Sequence, residues 1–252
     1  MLPRNLNGKI YLMSEEILKV ENLSVEFNGQ HAIKDVNFSL KKGDVLAIVG
    51  PNGAGKTVLL RTLLGLVPCS GKIVWQTGIK IGYVPQRLAV EKDFPLTARE
   101  FLMLRGVKSK QEVEKALEEV GLPKMNKGYD WLLNKKLGQL SSGQFQRLLI
   151  ANSLMGGLDV LLFDEPTAGI DVAGEETIYK LFRKLQASTE LTVILVSHDL
   201  NVIHDFVDYV LGLNVKQVFF GKPHEVLDHK ILHHLYGEEI GRHYHGHDPS
   251  IL

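Results

Sequence analysis

The sequence predicts an α/β fold: parallel strands alternating with helices, preceded by an antiparallel β segment and interrupted by a helical insertion. Three observations carry that expectation. Residues 44–49, 158–163 and 191–196 are short, largely apolar runs, each followed by polar residues and a helical pattern. Strands buried on both faces of a parallel sheet read this way. Residues 18–27 and 31–40 instead alternate in β fashion on either side of Asn28-Gly29, a strong hairpin signal. From about residue 95 to 140 the composition shifts to Glu, Lys and Leu at helical spacing, and Gly121 and Pro123 end the segment 112–120.

Composition sets outer bounds. The 252 residues are 44% apolar and 23% charged, enough to bury a core in one domain, or in a domain with a subdomain. Lys and Arg total 29 against 29 Asp and Glu, so no charge imbalance points to nucleic acid or an anionic membrane surface as the main partner. The longest apolar runs are far shorter than the roughly 20 residues that span a bilayer, and the chain is expected not to cross one. Cys69 stands alone and no long apolar leader opens the sequence, so a cytoplasmic location is expected. Met13-Ser14 would also serve as a start. Residues 1–13 are therefore set aside as an extension, with the main domain at 14–237, a helical subdomain at about 87–150 inside it, and a His-rich tail at 238–252.

The run 44–49 ends in Gly50-Pro51-Asn52-Gly53-Ala54-Gly55-Lys56-Thr57, and Val58 begins a helical stretch to residue 66. This is P-loop spacing in the strand–loop–helix context that the motif requires. Its glycines let successive backbone N–H groups point inward at phosphate oxygens, and the helix N-terminus adds partial positive charge. Lys56 balances the β and γ charge. The Thr57 hydroxyl is placed to ligate Mg²⁺, which prefers oxygen ligands shared among protein, water and phosphates.

Ligands of open α/β sheets gather beyond the carboxyl ends of the strands, and two further runs deliver chemistry there. Residues 158–163 are followed by Asp164-Glu165, and residues 191–196 by Ser197-His198-Asp199. Asp164 would hold Mg²⁺ through its water shell. Glu165 would polarise a water for in-line attack on the γ-phosphorus, as general base or water orienter. The plainer reading, that Asp164-Glu165-Pro166 only starts a helix, loses weight beside a P-loop. For His198 a structural role competes with a catalytic one. Leu140-Ser141-Ser142-Gly143-Gln144 opens a helix and has the spacing of a capping box, Ser141 as N-cap and Gln144 three residues on; a helix N-terminus is also an anion site.

These motifs, in this order and together with Gln86 after the strand 81–85 and Ala168-Gly169-Ile170-Asp171, resemble those of ABC ATPases over nearly the whole chain, from about residue 18 to 237. The resemblance implies a P-loop NTPase of ABC ATPase type, with an antiparallel β subdomain and a helical subdomain, that hydrolyses ATP with Mg²⁺. It implies that Phe27 stacks on adenine, although a core aromatic is the competing reading and tyrosine is more usual there. Gln86 would reach the Mg²⁺ and the attacking water, and His198 the γ-phosphate of its own site. Ser141 and Gly143, flanked by Ser142 and Gln144, would contact the γ-phosphate of an opposite subunit, and Asp171 would lie at that interface. The family pairs two chains head to tail, with ATP between them. Two departures stand out: Ser142 replaces the usual first glycine of the signature pair, and Val58 stands where a small hydroxyl residue is common.

Residues 84–87, 93–97, 143–147, 169–171 and 174–179 look most like ATPases of zinc and manganese importers. That resemblance implies uptake of a divalent metal through a separate transmembrane permease, fed by an extracytoplasmic metal-binding protein, with this subunit on the inner face of the membrane. The alternatives are an ABC ATPase for another solute and a soluble, non-transport ABC protein; the latter usually carries two cassettes or a long coiled coil. A non-hydrolytic dimeriser is disfavoured by the intact Lys56, Asp164, Glu165 and His198. Seven of the ten histidines lie beyond residue 223. His243, His245 and His247 could bind a borderline metal, or belong to a solvated tail with adventitious affinity.

Overall fold

A computed structural model of the chain describes residues 16–85, 90–104, 106, 109–165, 172–197 and 200–236. The chain opens with β1 (Glu16–Phe27) and β2 (Gln30–Lys41), an antiparallel hairpin turned at Asn28-Gly29, where both residues take positive φ. β3 (Val45–Val49) leads through residues 50–55 into α1 (Lys56–Leu63), and β4 (Ser70–Trp75) returns to pair antiparallel with β1. β5 (Ile81–Val84) follows. Between it and β6 (Val160–Phe163) lie α2 (Ala98–Met103), α3 (Lys110–Glu119), α4 (Asp130–Leu133), a 3₁₀ turn at Leu137–Gln139 and α5 (Ser142–Leu154). The chain continues through α6 (Val172–Thr189), β7 (Thr192–Val196), α7 (Leu200–Phe206), β8 (Tyr209–Asn214), β9 (Lys216–Gly221), α8 (Pro223–Val226) and α9 (His229–Tyr236).

The described strands form one sheet in the order β4-β1-β2-β9-β8-β3-β7-β6-β5. β8, β3, β7, β6 and β5 are mutually parallel. β9 pairs antiparallel with β8 and meets β2 in parallel through Lys34 and Lys216, joining the two parts. Alternation along the strands sorts their side chains into two layers. Val45, Ala47, Val49, Leu161, Phe163, Val193 and Leu195 pack in one core with Phe182 of α6 and Leu148 of α5. Leu46, Ile48, Leu162, Ile194 and Val196 pack in the other, with Leu59 of α1 and the inner face of the β1–β2 hairpin. Burial on both faces is why these runs are continuously apolar.

The expected elements are present, with shifted ends. α1 starts at Lys56 rather than Val58 because Gly55, in left-handed conformation, serves as its N-cap. The helix expected from residue 201 onward stops at Phe206, since the Asp208 carboxylate accepts from the Val45 N–H and its own N–H donates to the Val45 carbonyl. That pair turns the chain into β8. β4, β8 and β9 are additional to the expected strands. β4 is exposed or half-buried throughout, with only the short run Ile73-Val74-Trp75 to mark it.

Candidate functional site

The parallel register sets the ends of the central strands level. Ile48 pairs with Val196, Phe163 with Leu195, and Val84 with Phe163. The chain therefore leaves β3, β6 and β7 on one edge of the sheet, delivering residues 50–57, Asp164-Glu165 and Ser197 to that edge. Backbone bonds continue the alignment past the strands: the Asp164 N–H donates to the Val84 carbonyl and the Ser197 N–H to the Ile48 carbonyl.

The P-loop wraps around its own lysine. The Lys56 ammonium, only 6% exposed, donates to the carbonyl oxygens of Gly50 at 2.7 Å and Pro51 at 2.9 Å. Burial pulls its pKa down, while the carboxylates of Glu165 and Asp164 push it up. A cation held in a partly dehydrated loop is poised for an anionic partner that brings charge of its own. On the next helical residue, the Thr57 hydroxyl donates to Asp164 Oδ1 at 3.2 Å, so two sequence-predicted Mg²⁺ positions 107 residues apart are in direct contact.

Asp164 is 2% exposed. Burial raises its pKa, the Thr57 hydrogen bond opposes the rise, and the neighbouring Glu165 charge adds to it. Such a carboxylate would be relieved by a cation. The Tyr83 hydroxyl lies 3.5 Å from Asp164 Oδ2, and the Arg61 guanidinium both hydrogen-bonds Tyr83 and lowers the Asp164 pKa. Glu165, next along the chain, is half-buried at φ 50°, an uncommon conformation for a residue with a side chain and one that clusters at functional sites.

Because its folded-state pKa is raised, Asp164 favours the folded protein while protonated, and that advantage is lost as pH rises from the ordinary carboxylate value through the folded one. At neutral pH the charge is a net burden on the fold. Asp164→Asn is therefore expected to leave the melting temperature of the nucleotide-free protein at pH 7 equal or higher while abolishing Mg²⁺-dependent ATP hydrolysis. Calorimetry and phosphate release check the two halves, and a large loss of stability would contradict the burden.

The predicted capping box forms at the start of α5: the Gln144 N–H donates to Ser141 Oγ at 3.3 Å, and the Ser141 N–H to Gln144 Oε1 at 3.2 Å. Ser142 and Gly143 are the first two residues of the helix. Phe27 ends β1 with 48% of its surface exposed, so its reading as a core aromatic does not hold. Val58 is half-buried in α1. Gln86, Asp171, His198 and the tail residues His243, His245 and His247 lie outside the described residues. Among those described, no group of His, Cys, Asp or Glu is arranged to hold a metal ion by itself, and no helix is long and apolar enough to cross a membrane.

Sequence reasoning missed Tyr83 and Arg61. Arg61 sits four residues after Thr57 on α1, one turn along the same face, and that spacing was legible. Tyr83 reaches Asp164 only because β5 pairs with β6.

A P-loop whose Thr57 meets a buried carboxylate at the end of β6, one strand beyond β7 in the sheet, defines a nucleotide-hydrolysing protein. Comparison with known proteins narrows the class. The model of the ABC transporter family matches residues 33–168. The zinc import ATP-binding protein ZnuC of Cereibacter sphaeroides is 39% identical over 83% of this chain and 84% of its own length. ZnuC of Photorhabdus laumondii is 36% identical over 92% and 90%. Among solved structures, an inward-facing conformation of a transporter described as metal-chelate type matches with TM-score 0.75 and 28% identity, over 87% of this chain and 88% of that one. CbiO1 of Clostridium perfringens, part of the cbiONQ ABC transporter complex, matches with TM-score 0.72 and 30% identity over 90% and 96%. The chain belongs to the ABC transporter family, as an ATP-binding and ATP-hydrolysing subunit.

Proposed function

We propose that this chain is the motor of a divalent-metal importer, hydrolysing ATP to drive uptake of zinc or manganese through a separate transmembrane permease. The contact between Thr57 and Asp164 supports the catalytic half of that reading, because a P-loop hydroxyl and a buried carboxylate within hydrogen-bond distance of each other could share one hard cation. Their all-oxygen donor set fits Mg²⁺ brought in with ATP, and the cation would neutralise phosphate charge that develops in the transition state. Similarity to zinc import ATP-binding proteins supports the cargo.

In this mechanism residues 50–58 cradle the phosphates, which accept from backbone N–H groups of the loop other than that of Gly50, held by Tyr236, and Pro51, which has none; the Lys56 ammonium exchanges the Gly50 and Pro51 carbonyls for phosphate oxygens. Glu165, adjacent to Asp164, accepts a proton from the attacking water or orients it. Gln86 and His198 complete the catalytic set, and Phe27, exposed at the end of β1, stacks on adenine. Ser141, Ser142, Gly143 and Gln144, with Asp171, serve the site of a second copy in a head-to-tail dimer. Residues 14–237 form the catalytic domain, with about 87–150 as its helical subdomain, at the cytoplasmic face of the membrane beneath the permease. An extracytoplasmic binding protein supplies the metal.

Elemental analysis of metal-limited cells tests the cargo. Cells that carry Glu165→Gln with the native partner proteins are expected to hold less zinc or manganese than cells with the unaltered chain, with other metals unchanged. Equal metal content, despite measured ATPase activity of the unaltered chain, would remove the metal and leave the motor.

A further inference from the structure

We infer that Tyr236, near the end of α9, is a positioning residue for the P-loop: its hydroxyl fixes the start of the loop in the shape that receives phosphate. The inference rests on the reading of residues 50–58 as the nucleotide cradle. Three sets of contacts carry it.

At the start of the loop, the Gly50 N–H donates to the Tyr236 hydroxyl oxygen at 3.1 Å, across 186 residues of sequence, with Tyr236 only 5% exposed. Burial pushes the Tyr236 pKa up to about 12, so the group stays a neutral phenol and its acceptor role is constant across physiological pH. Gly50 has no room for a side chain. A Cβ there would collide with the Leu213 carbonyl at the end of β8, and its φ is 152°.

In the middle of the loop, the Val215 N–H donates to the Ala54 carbonyl at 3.0 Å, and the Val215 carbonyl accepts from the Lys34 N–H of β2 at 2.7 Å. Val215 holds this bridge at φ 59°, which is a true outlier for a β-branched side chain. Surrounding structure must impose such a conformation.

The two grips are tied together. The Asn214 side-chain amide donates to the Leu235 carbonyl at 3.4 Å, linking the β8–β9 turn to α9 one residue before Tyr236. The loop is thus held at residues 50 and 54 by a turn and a helix from the far end of the chain, while Lys56 closes it from inside through Gly50 and Pro51.

The consequence is a coupling in both directions. Loss of the acceptor leaves a buried N–H seeking another partner, and an amide with that need draws the loop away from its receptive shape. Apparent affinity then falls with the fraction of chains still in that shape. By reciprocity, ATP in the cradle stabilises α9.

Titration of the full-length chain with ATP in a calorimeter tests this, with Tyr236→Phe as the probe because it keeps the ring and removes only the hydroxyl. ATP binding is expected to weaken about 5- to 10-fold. Amide hydrogen exchange across residues 229–236 is expected to slow on ATP addition in the unaltered chain and to respond less in Tyr236→Phe. Leu232→Ala provides the contrast, since Leu232 is buried in the same helix but belongs to the core rather than the loop; it is expected to lower the melting temperature with ATP affinity unchanged. Wild-type affinity in Tyr236→Phe would overturn the inference, as would an equal loss of affinity in Leu232→Ala, which would reduce Tyr236 to helix packing. An unaltered chain that binds no ATP would instead overturn the nucleotide reading, and the inference with it.

Discussion

Glu165→Gln is expected to bind ATP with affinity within a few-fold of the unaltered chain and to hydrolyse it at least roughly 10²-fold more slowly, the lower range for removal of a positioned base. The substitution keeps the size and one acceptor of the side chain but removes its capacity to take a proton. Binding is expected to survive because the proposed phosphate contacts belong to residues 50–58 and not to the carboxylate. The Glu165 charge also raises the pKa of both Asp164 and Lys56; its loss eases ionisation of Asp164 without discharging Lys56, whose neighbour Asp164 remains. Single-turnover hydrolysis beside calorimetric binding separates the two effects. Turnover near that of the unaltered chain would take Glu165 out of the base role, whatever happened to binding.

Gly55→Ala is the second large effect, and its origin is steric. Gly55 is the N-cap of α1 at φ 98° and ψ 6°, and a Cβ there would run into the Ala32 carbonyl of β2 and come within 3.2 Å of Ile33 Cγ1. Backbone strain at positive φ and overpacking each cost on the order of 1–3 kcal/mol. A loss of about 3 kcal/mol or more is expected. For a chain of this size that lowers the melting temperature by roughly 6–12 °C. ATP binding should be lost as well, since a displaced Gly55 moves the N–H groups at the start of α1. Thermal unfolding and titration on the same preparation check both, and an unchanged melting temperature would show that the hairpin yields to the added methyl.

The two predictions differ in how far they could be made before the structure. The importance of Glu165 was legible because it follows a buried-type run and precedes Pro166, beside an independent P-loop. The role of Gly55 in the cradle was also legible. Its steric closeness to Ala32 was not, because β2 is brought to α1 only by the packing of the hairpin's inner face against that helix. Arg61 shares a helical face with Thr57 and could have been found by spacing, whereas Tyr83 needed the pairing of β5 with β6.

The sequence by itself determined the α/β class, the hairpin at Asn28-Gly29, the strand–loop–helix around residues 50–57, the capping box at Ser141 and Gln144, and the family. Each is a local signal: a run of apolar residues, a turn pair, or a motif whose chemistry acts over a few residues. The tertiary structure alone decided that Thr57 touches Asp164, that Phe27 lies exposed, that Val215 is held at positive φ, and that Tyr236 grips the first glycine of the loop. Those facts depend on which strands lie side by side and on a helix returning to the strand ends from nearly two hundred residues away. Contacts at such separation are set by the packing of the two cores on the sheet, and no local pattern of side chains encodes them.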